Sequence, residues 1–322
     1  MTAASLIRLT VETQENNAGE MPGSETAEPL PFPFNQQTYC RYEPIEKTIA
    51  NARVLIVDDL LRDEGDLSDV ARQDWGTELS NQLKRERQIA SLALQNIASN
   101  VERLVQEPRT KVVHVTELAP AVADFAPDAI VLSGTLRDFD YYKDEILAGF
   151  ADFIRATRVP VLGICGGHQL IGLSFGARVV TLGRLEQHEQ RENRPHEYQY
   201  RFIRIVEPAD PIFAGMDNPQ SPVWQEYTRE GRILRVWQNH GLQLDGLPKG
   251  FKLLATSYLC RNQMMVKRSD HQLIYSVQFH LEKSFEDWNQ NPTRWEHPNE
   301  SRDGRILFEN FLRLALAHPQ TS

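Results

Sequence analysis

Hydrophobic and polar positions divide the 322-residue chain at about residue 50. Before that point the text is polar, with Pro, Glu and Asn scattered through QENNAGEMPGSETAEPLPFPFNQQ, and neither a helical nor a strand period persists. Residues 1–50 are therefore expected to form an extended or partly disordered arm, followed by one folded domain over 51–318. The regular pattern opens with ARVLIVDDLL (52–61), an unbroken aliphatic run suited to a strand covered on both faces. From about 75 to 107 apolar residues recur at three- and four-residue steps (Leu79, Leu83, Ile89, Leu92, Leu94, Ile97, Val101, Leu104), which predicts a long helix with one buried face. KVVHVTEL (111–118) and DAIVLSG (128–134) predict strands, EILAGFADFIRATR (145–158) a helix, and VPVLGIC (159–165) a further strand.

The next segment, HQLIGLSFGA, carries a helical stripe. The middle of the chain, about 180–275, reads as short strands and turns: YQYRFIRIV, ILRVWQNHG, FKLLATSYL and QMMVKRS. A strand over LIYSVQFHLE (273–282) and an amphipathic helix over DGRILFENFLRLALA (303–317) follow. Strands alternating with helices predict an α/β fold, an open and mostly parallel sheet with helices on both faces. The long helix is expected to pack beside that sheet or to mediate self-association.

Composition narrows the function. Hydrophobic residues make up 41% of the chain and charged residues 25%, enough for one sizeable core in a soluble protein. A formal net charge of −9 argues against nucleic acid, since phosphate binding needs a basic face. The densest basic run, KRER at 84–87, falls within the long helix and reads as a solvated face. No stretch approaches the roughly 18 apolar residues of a membrane span, and no signal-peptide core opens the chain. Three cysteines, Cys40, Cys165 and Cys260, make no disulfide framework and suggest a reducing, cytoplasmic setting. They also lack paired zinc-ligand spacing, and His188, His196 and His240 lack the i,i+4 spacing of a helical metal site, so no metal is expected. Asp58 and Asp59, at the end of the first strand, read as turn or capping residues, and Cys260 as core.

Two segments carry chemistry. In GICGG, Cys165 sits at a strand end and glycines open the next helix. Glycine supplies the unusual backbone angles of a sharp strand-to-helix turn, and free N–H groups at the helix start point at the sulfur, a setting that activates a thiol. These are the mechanics of a nucleophile elbow with cysteine in place of serine. Downstream, VQFHLE places His280 and Glu282 two residues apart, on one side of the expected strand, where the carboxylate can orient the imidazole.

With these two motifs the chain resembles the class I (triad) glutamine amidotransferases, with their G-x-C-x-G-x-Q elbow and Q-F-H-P-E strand. The resemblance runs from about residue 52 to 317. It takes in VLSG, EYQYRFIRIVEPADPIFAGM, VWQNHG and the closing helix, in the order of an amidotransferase domain that serves a synthetase. It implies the flavodoxin-like architecture of that family and no cofactor. It also implies roles: Cys165 attacks the side-chain amide of glutamine, His280 moves the protons, and Glu282 orients His280. Gly134 and Gly166 would form the oxyanion hole, Gln169 would line the substrate pocket, and Asn239 and His240 would close over the substrate's α-amino and carboxylate groups. Three positions depart from the family pattern. Thr135 replaces a glycine, where a β-branched side chain resists positive φ; Leu281 replaces the proline of Q-F-H-P-E; and Asn239 replaces a serine.

Three functions follow from this reading. The first is a glutaminase that releases ammonia for a separate synthetase chain. The second is a free-standing γ-glutamyl hydrolase or peptidase acting on a γ-glutamyl amide or conjugate. The third, a catalytically idle binding module, is disfavoured because Cys165, His280 and Glu282 are all present.

Overall fold

The computed structural model describes residues 46–216, 233–283 and 302–319. Most of the expected arm, Cys40 included, lies outside them. In chain order the elements are β1 (Ile49–Asp58), α1 (Asp69–Trp75), α2 (Leu79–Leu104), β2 (Val105–His114), α3 (Leu118–Phe125), β3 (Ala129–Leu132) and α4 (Asp144–Ala156). They continue with β4 (Val161–Ile164), α5 (Gly166–Ser174), β5 (Val179–Thr181), β6 (Glu197–Ile205), β7 (Ile233–His240) and β8 (Leu242–Leu244). The last are β9 (Lys252–Thr256), β10 (Met264–Arg268), β11 (Leu273–Val277) and α6 (Arg302–Ala317).

Nine strands form one sheet in the order β2-β1-β3-β4-β11-β10-β9-β6-β7. The pairings from β2 through β11 are parallel and those from β11 to β7 antiparallel. The parallel half has the unbroken apolar text expected of strands covered on both faces: β3, β4 and β11 are buried at every position. Their alternate residues feed two cores. Val54, Val131, Leu162 and Tyr275 meet Ile97 and Val101 of α2 and Phe308 and Phe311 of α6. Leu55, Ile130, Val161 and Ile274 meet Phe150 and Ile154 of α4 and Ile171 of α5 on the other face. This is the α/β layering expected from the sequence.

Several boundaries move. The long helix begins at Leu79, after the separate short helix α1, and ends at Leu104, where β2 starts with no loop between. Pro108 lies within β2, the outermost strand of the sheet, which pairs only with β1 and so tolerates a residue without an N–H. The α3 helix, over LAPAVADF, was not expected, and its Pro120 lies in the first turn, where proline is tolerated. Leu92, counted in the buried stripe of α2, is 64% exposed. The last strand stops at Val277, so His280 and Glu282 sit beyond it. Strand alternation is therefore not what places them together. Among the described residues no helix is long and apolar enough to cross a membrane.

Candidate active site

The expected elbow forms where β4 gives way to α5. Cys165 caps the helix with φ 50° and ψ −101°, a left-handed value that a side-chain-bearing residue adopts only under constraint. The constraint is local packing. The Cys165 N–H donates to Val277 O at 2.8 Å, tying the elbow to β11, and the Gly167 N–H donates to Ser133 O at 3.0 Å, tying it to the loop after β3. A Cβ at Gly166 would lie 2.2 Å from the Thr135 nitrogen, and one at Gly167 would lie 2.7 Å from Leu132 Cβ, so both positions need glycine for close approach. Gly134 packs against both His280 and Cys165: its Cβ position is 3.4 Å from His280 Cε1 and 3.6 Å from Cys165 Cβ. Thr135 is absent from the positive-φ residues, so its branched side chain carries no backbone penalty in this loop.

A turn rather than a strand aims the histidine. The His280 N–H donates to Trp237 O at 2.8 Å in an isolated bridge to β7, and Nδ1 of the ring meets Glu282 Oε1 at 2.7 Å. The Glu282 side chain is buried, and its backbone oxygen accepts a 2.7 Å hydrogen bond from Asn100 Nδ2 on α2. Burial alone would push the His280 pKa down. The Glu282 carboxylate, the Cys165 sulfur and hydrogen bonds to both outweigh it and hold that pKa well above the ordinary histidine value. The ring keeps 19% of its side-chain surface open, toward the pocket.

Gln169 and Gln278 brace the thiol from beneath. Gln278 Nε2 lies 3.7 Å from Cys165 Sγ, and Gln169 Nε2 donates to Gln278 Oε1 at 3.0 Å and to Leu242 O at 3.1 Å. Gln169 is thus locked by its neighbours while its edge lines the pocket. Asn239 and His240 also line it. Asn239 Oδ1 meets His196 Nε2 at 3.0 Å, and His240 sits between Leu242 O (2.9 Å from Nδ1) and Glu197 Oε2 (3.1 Å from Nε2).

The pocket has a volume of about 420 Å³, and Cys165, His280 and Gly134 lie in its wall. A further part of the wall comes from α2 and from loops. Leu60, Ile89 and Ala93 supply an apolar strip, and Arg137, Arg191 and Arg194 supply guanidinium groups. Arg137 is held by Glu86 Oε1 at 2.5 Å and Gln82 Oε1 at 2.7 Å. In the KRER run Lys84 and Arg85 are exposed, as expected, but Glu86 is fully buried and Arg87 pairs with Asp58. Asp58 also accepts from Leu60 N–H in the expected turn. Asp59 is fully buried, and among the described residues neither of its carboxylate oxygens has a hydrogen-bond partner. Burial, and secondarily Asp58, raise its pKa well above the ordinary carboxyl value. Cys260 is core, as expected, and burial raises its pKa strongly.

Glu86, Arg137, Asn100 and Gln278 were not singled out in the sequence. Only Gln278 lay inside a recognised motif. The others are ordinary polar residues whose partners are distant in the chain.

An α/β sheet with a cysteine elbow at one strand end and a histidine–carboxylate pair beyond the next is the arrangement of a triad amidotransferase. The model of the glutamine amidotransferase class-I family matches residues 92–297, and the chain belongs to that family. The glutamine-hydrolysing GMP synthase subunit of Thermoplasma volcanium is 29% identical over 193 residues, 60% of this chain and 74% of that protein. The corresponding protein of Thermococcus kodakarensis is 33% identical over 172 residues, 53% of this chain and 75% of its own length. A glutamine amidotransferase structure from Thermotoga maritima, 17% identical, covers 82% of this chain and 98% of its own, with a TM-score of 0.47.

Proposed function

We propose that this protein is a glutaminase that releases ammonia for a separate synthetase chain, using Cys165, His280 and Glu282 as a triad. The carrying observation is that Cys165 and the His280–Glu282 pair, far apart in sequence, meet at one pocket: Glu282 Oε1 lies 2.7 Å from His280 Nδ1, Cys165 and His280 both line the pocket, and His280 Cε1 and Cys165 Cβ lie 3.4 and 3.6 Å from the Gly134 Cβ position. Cys165 Sγ attacks the side-chain amide carbon of glutamine as His280 takes the thiol proton. The tetrahedral oxyanion is held by the Gly166 N–H and one from the Ser133–Gly134 loop, a contribution typically worth about 10²–10³ in rate. His280 returns the proton to the leaving nitrogen, ammonia departs, and a γ-glutamyl thioester remains on Cys165. Water, deprotonated by His280, attacks the thioester to give glutamate and restore the thiol. Glu282 keeps Nδ1 of the ring engaged, so that Nε2 faces the sulfur. Relatives named as glutamine-hydrolysing GMP synthase subunits support a partner chain as ammonia acceptor.

The test is direct. The purified protein should convert glutamine to glutamate and ammonia, and faster in the presence of its synthetase partner. Acid quenching during turnover should trap a γ-glutamyl adduct on Cys165. Cys165→Ala should abolish turnover while leaving the far-UV circular dichroism spectrum unchanged; retained turnover would overturn the assignment. One observation favours a second reading, a γ-glutamyl hydrolase acting on conjugates. The apolar strip of Leu60, Ile89 and Ala93 could accommodate a substituent on the amide nitrogen. Turnover of γ-glutamyl anilides with indifference to glutamine would select it.

A further inference from the structure

The geometry points to Arg137 as the residue that selects the substrate by its α-carboxylate, through the Nη1 group it presents to the pocket. The inference rests on the reading of the pocket as a γ-glutamyl site and identifies which end of that substrate the α2 wall holds. Three arginines line the pocket, each beside at least one carboxylate. Their commitments differ. The Nε, Nη1 and Nη2 groups of Arg191 reach Asp74, Asp138 and Asp140. Both terminal nitrogens of Arg194 are on Asp138, and its Nε is buried. Arg137 uses Nε on Glu86 and Nη2 on Gln82, with its Cζ 5.1 Å over the Trp75 ring. Among the described residues nothing hydrogen-bonds its Nη1, and 20% of the side chain stays exposed.

Two held nitrogens and an aromatic platform fix the guanidinium plane, so a ligand meeting Nη1 does not have to order a flexible side chain. The two N–H groups of Nη1 suit an anionic oxygen, and a charge-assisted hydrogen bond of this kind is among the stronger ones. Of the other polar lining residues, Asn239 engages His196 through Oδ1, and His240 lies between Leu242 O and Glu197, where the neighbouring carboxylate would repel a second one. Burial raises the Glu86 pKa against the opposing pull of Arg137, which weakens the internal neutralisation of the guanidinium.

The experiment compares glutamine with 4-aminobutanamide, which is glutamine without its carboxylate, in the full-length wild type and in Arg137→Gln. The wild type should prefer glutamine by about 10–100-fold in kcat/KM, the range expected from a hydrogen bond to a charged group. In Arg137→Gln the KM for glutamine should rise by about the same factor, with most of kcat retained, and the preference should collapse. A readout independent of turnover is alkylation of Cys165, followed by mass spectrometry. The chloroketone of glutamine should label the variant more slowly than the wild type, whereas iodoacetamide, which has no carboxylate, should label both alike. An unchanged KM with an intact preference, or equal slowing of both alkylators, overturns the proposal. Should Arg137→Gln fail to fold, Arg137→Lys carries the test, and a full wild-type preference in that variant overturns it, because a lysine cannot reach Nη1's position while bonded to Glu86 and Gln82. Absence of glutamine turnover in the wild type would refute the glutaminase reading and leave the alkylator comparison to decide the role of Arg137.

Discussion

Cys165, His280 and Glu282 come from turns at the carboxyl ends of β4 and β11, whereas Glu86, Gln82 and Asn100 come from one 26-residue helix, α2. The first wall is built by close approach: glycines at 166 and 167 admit neighbouring atoms to distances that a methyl group would forbid, and Cys165 sits at a strained φ. The second is built by side chains reaching across space, from α2 to Arg137 in the loop after β3 and to the backbone of Glu282. Close approach leaves little tolerance and, in the proposed mechanism, serves the groups that move protons and form bonds. Reach through long polar side chains serves recognition and support, where losing one contact weakens without abolishing. Substitutions in the two walls should therefore differ in kind, with the first reducing kcat and the second changing KM or stability.

The largest effect that sharpens this contrast is expected from Glu282→Gln. Neutralising the partner of Nδ1 should cost about 10²–10⁴ in kcat/KM. Because Glu282 raises the His280 pKa, its loss should move the alkaline limb of the pH–rate profile to lower pH, which a stopped ammonia assay between pH 6 and pH 10 would reveal. A limb that stays in place would show that the carboxylate does not act on the ring. Gly166→Ala comes next. Its methyl would sit 2.2 Å from the Thr135 nitrogen, forcing the elbow and the oxyanion loop apart. Turnover should fall by about 10²–10³, with about 1–3 kcal/mol of stability lost to overpacking. Asn100→Ala should have the smallest effect on turnover. It removes the buried hydrogen bond that Asn100 Nδ2 donates to Glu282 O, the one donor to that oxygen among the described residues, a cost of about 1–3 kcal/mol readable as a lower denaturant midpoint. Its kcat should fall less than that of either first-wall variant, and a fall as large as that of Glu282→Gln would erase the distinction.

The sequence made the first wall legible because its chemistry depends on short-range text. GICGG and VQFHLE each put the relevant groups within a few residues, and the parallel strands announce themselves as unbroken aliphatic runs. Even there the reason was partly wrong: β11 ends at Val277, and a bridge from His280 to Trp237, rather than strand alternation, sets the histidine. The second wall was illegible for a physical reason. Arg137 and Glu86 are 51 positions apart and Asn100 and Glu282 are 182, and a polar residue on a helix gives no local sign that it will be buried. The run at 84–87 illustrates this, since its charge density suggested solvent whereas Glu86 is sealed beneath Arg137.

Asp59 gives the molecule a pH signature separate from catalysis. A carboxyl sealed in the interior without a partner is neutral by preference, so the native chain takes up a proton there that the unfolded chain releases. Below the ordinary carboxyl value of 3.8 both forms hold that proton and nothing is lost. Above it the native state bears a penalty that grows until the raised native pKa is passed. This group alone makes mild acidity a preservative: heat tolerance should improve as the solution is brought from neutral toward weakly acidic, the opposite of the trend set by salt-bridged carboxylates.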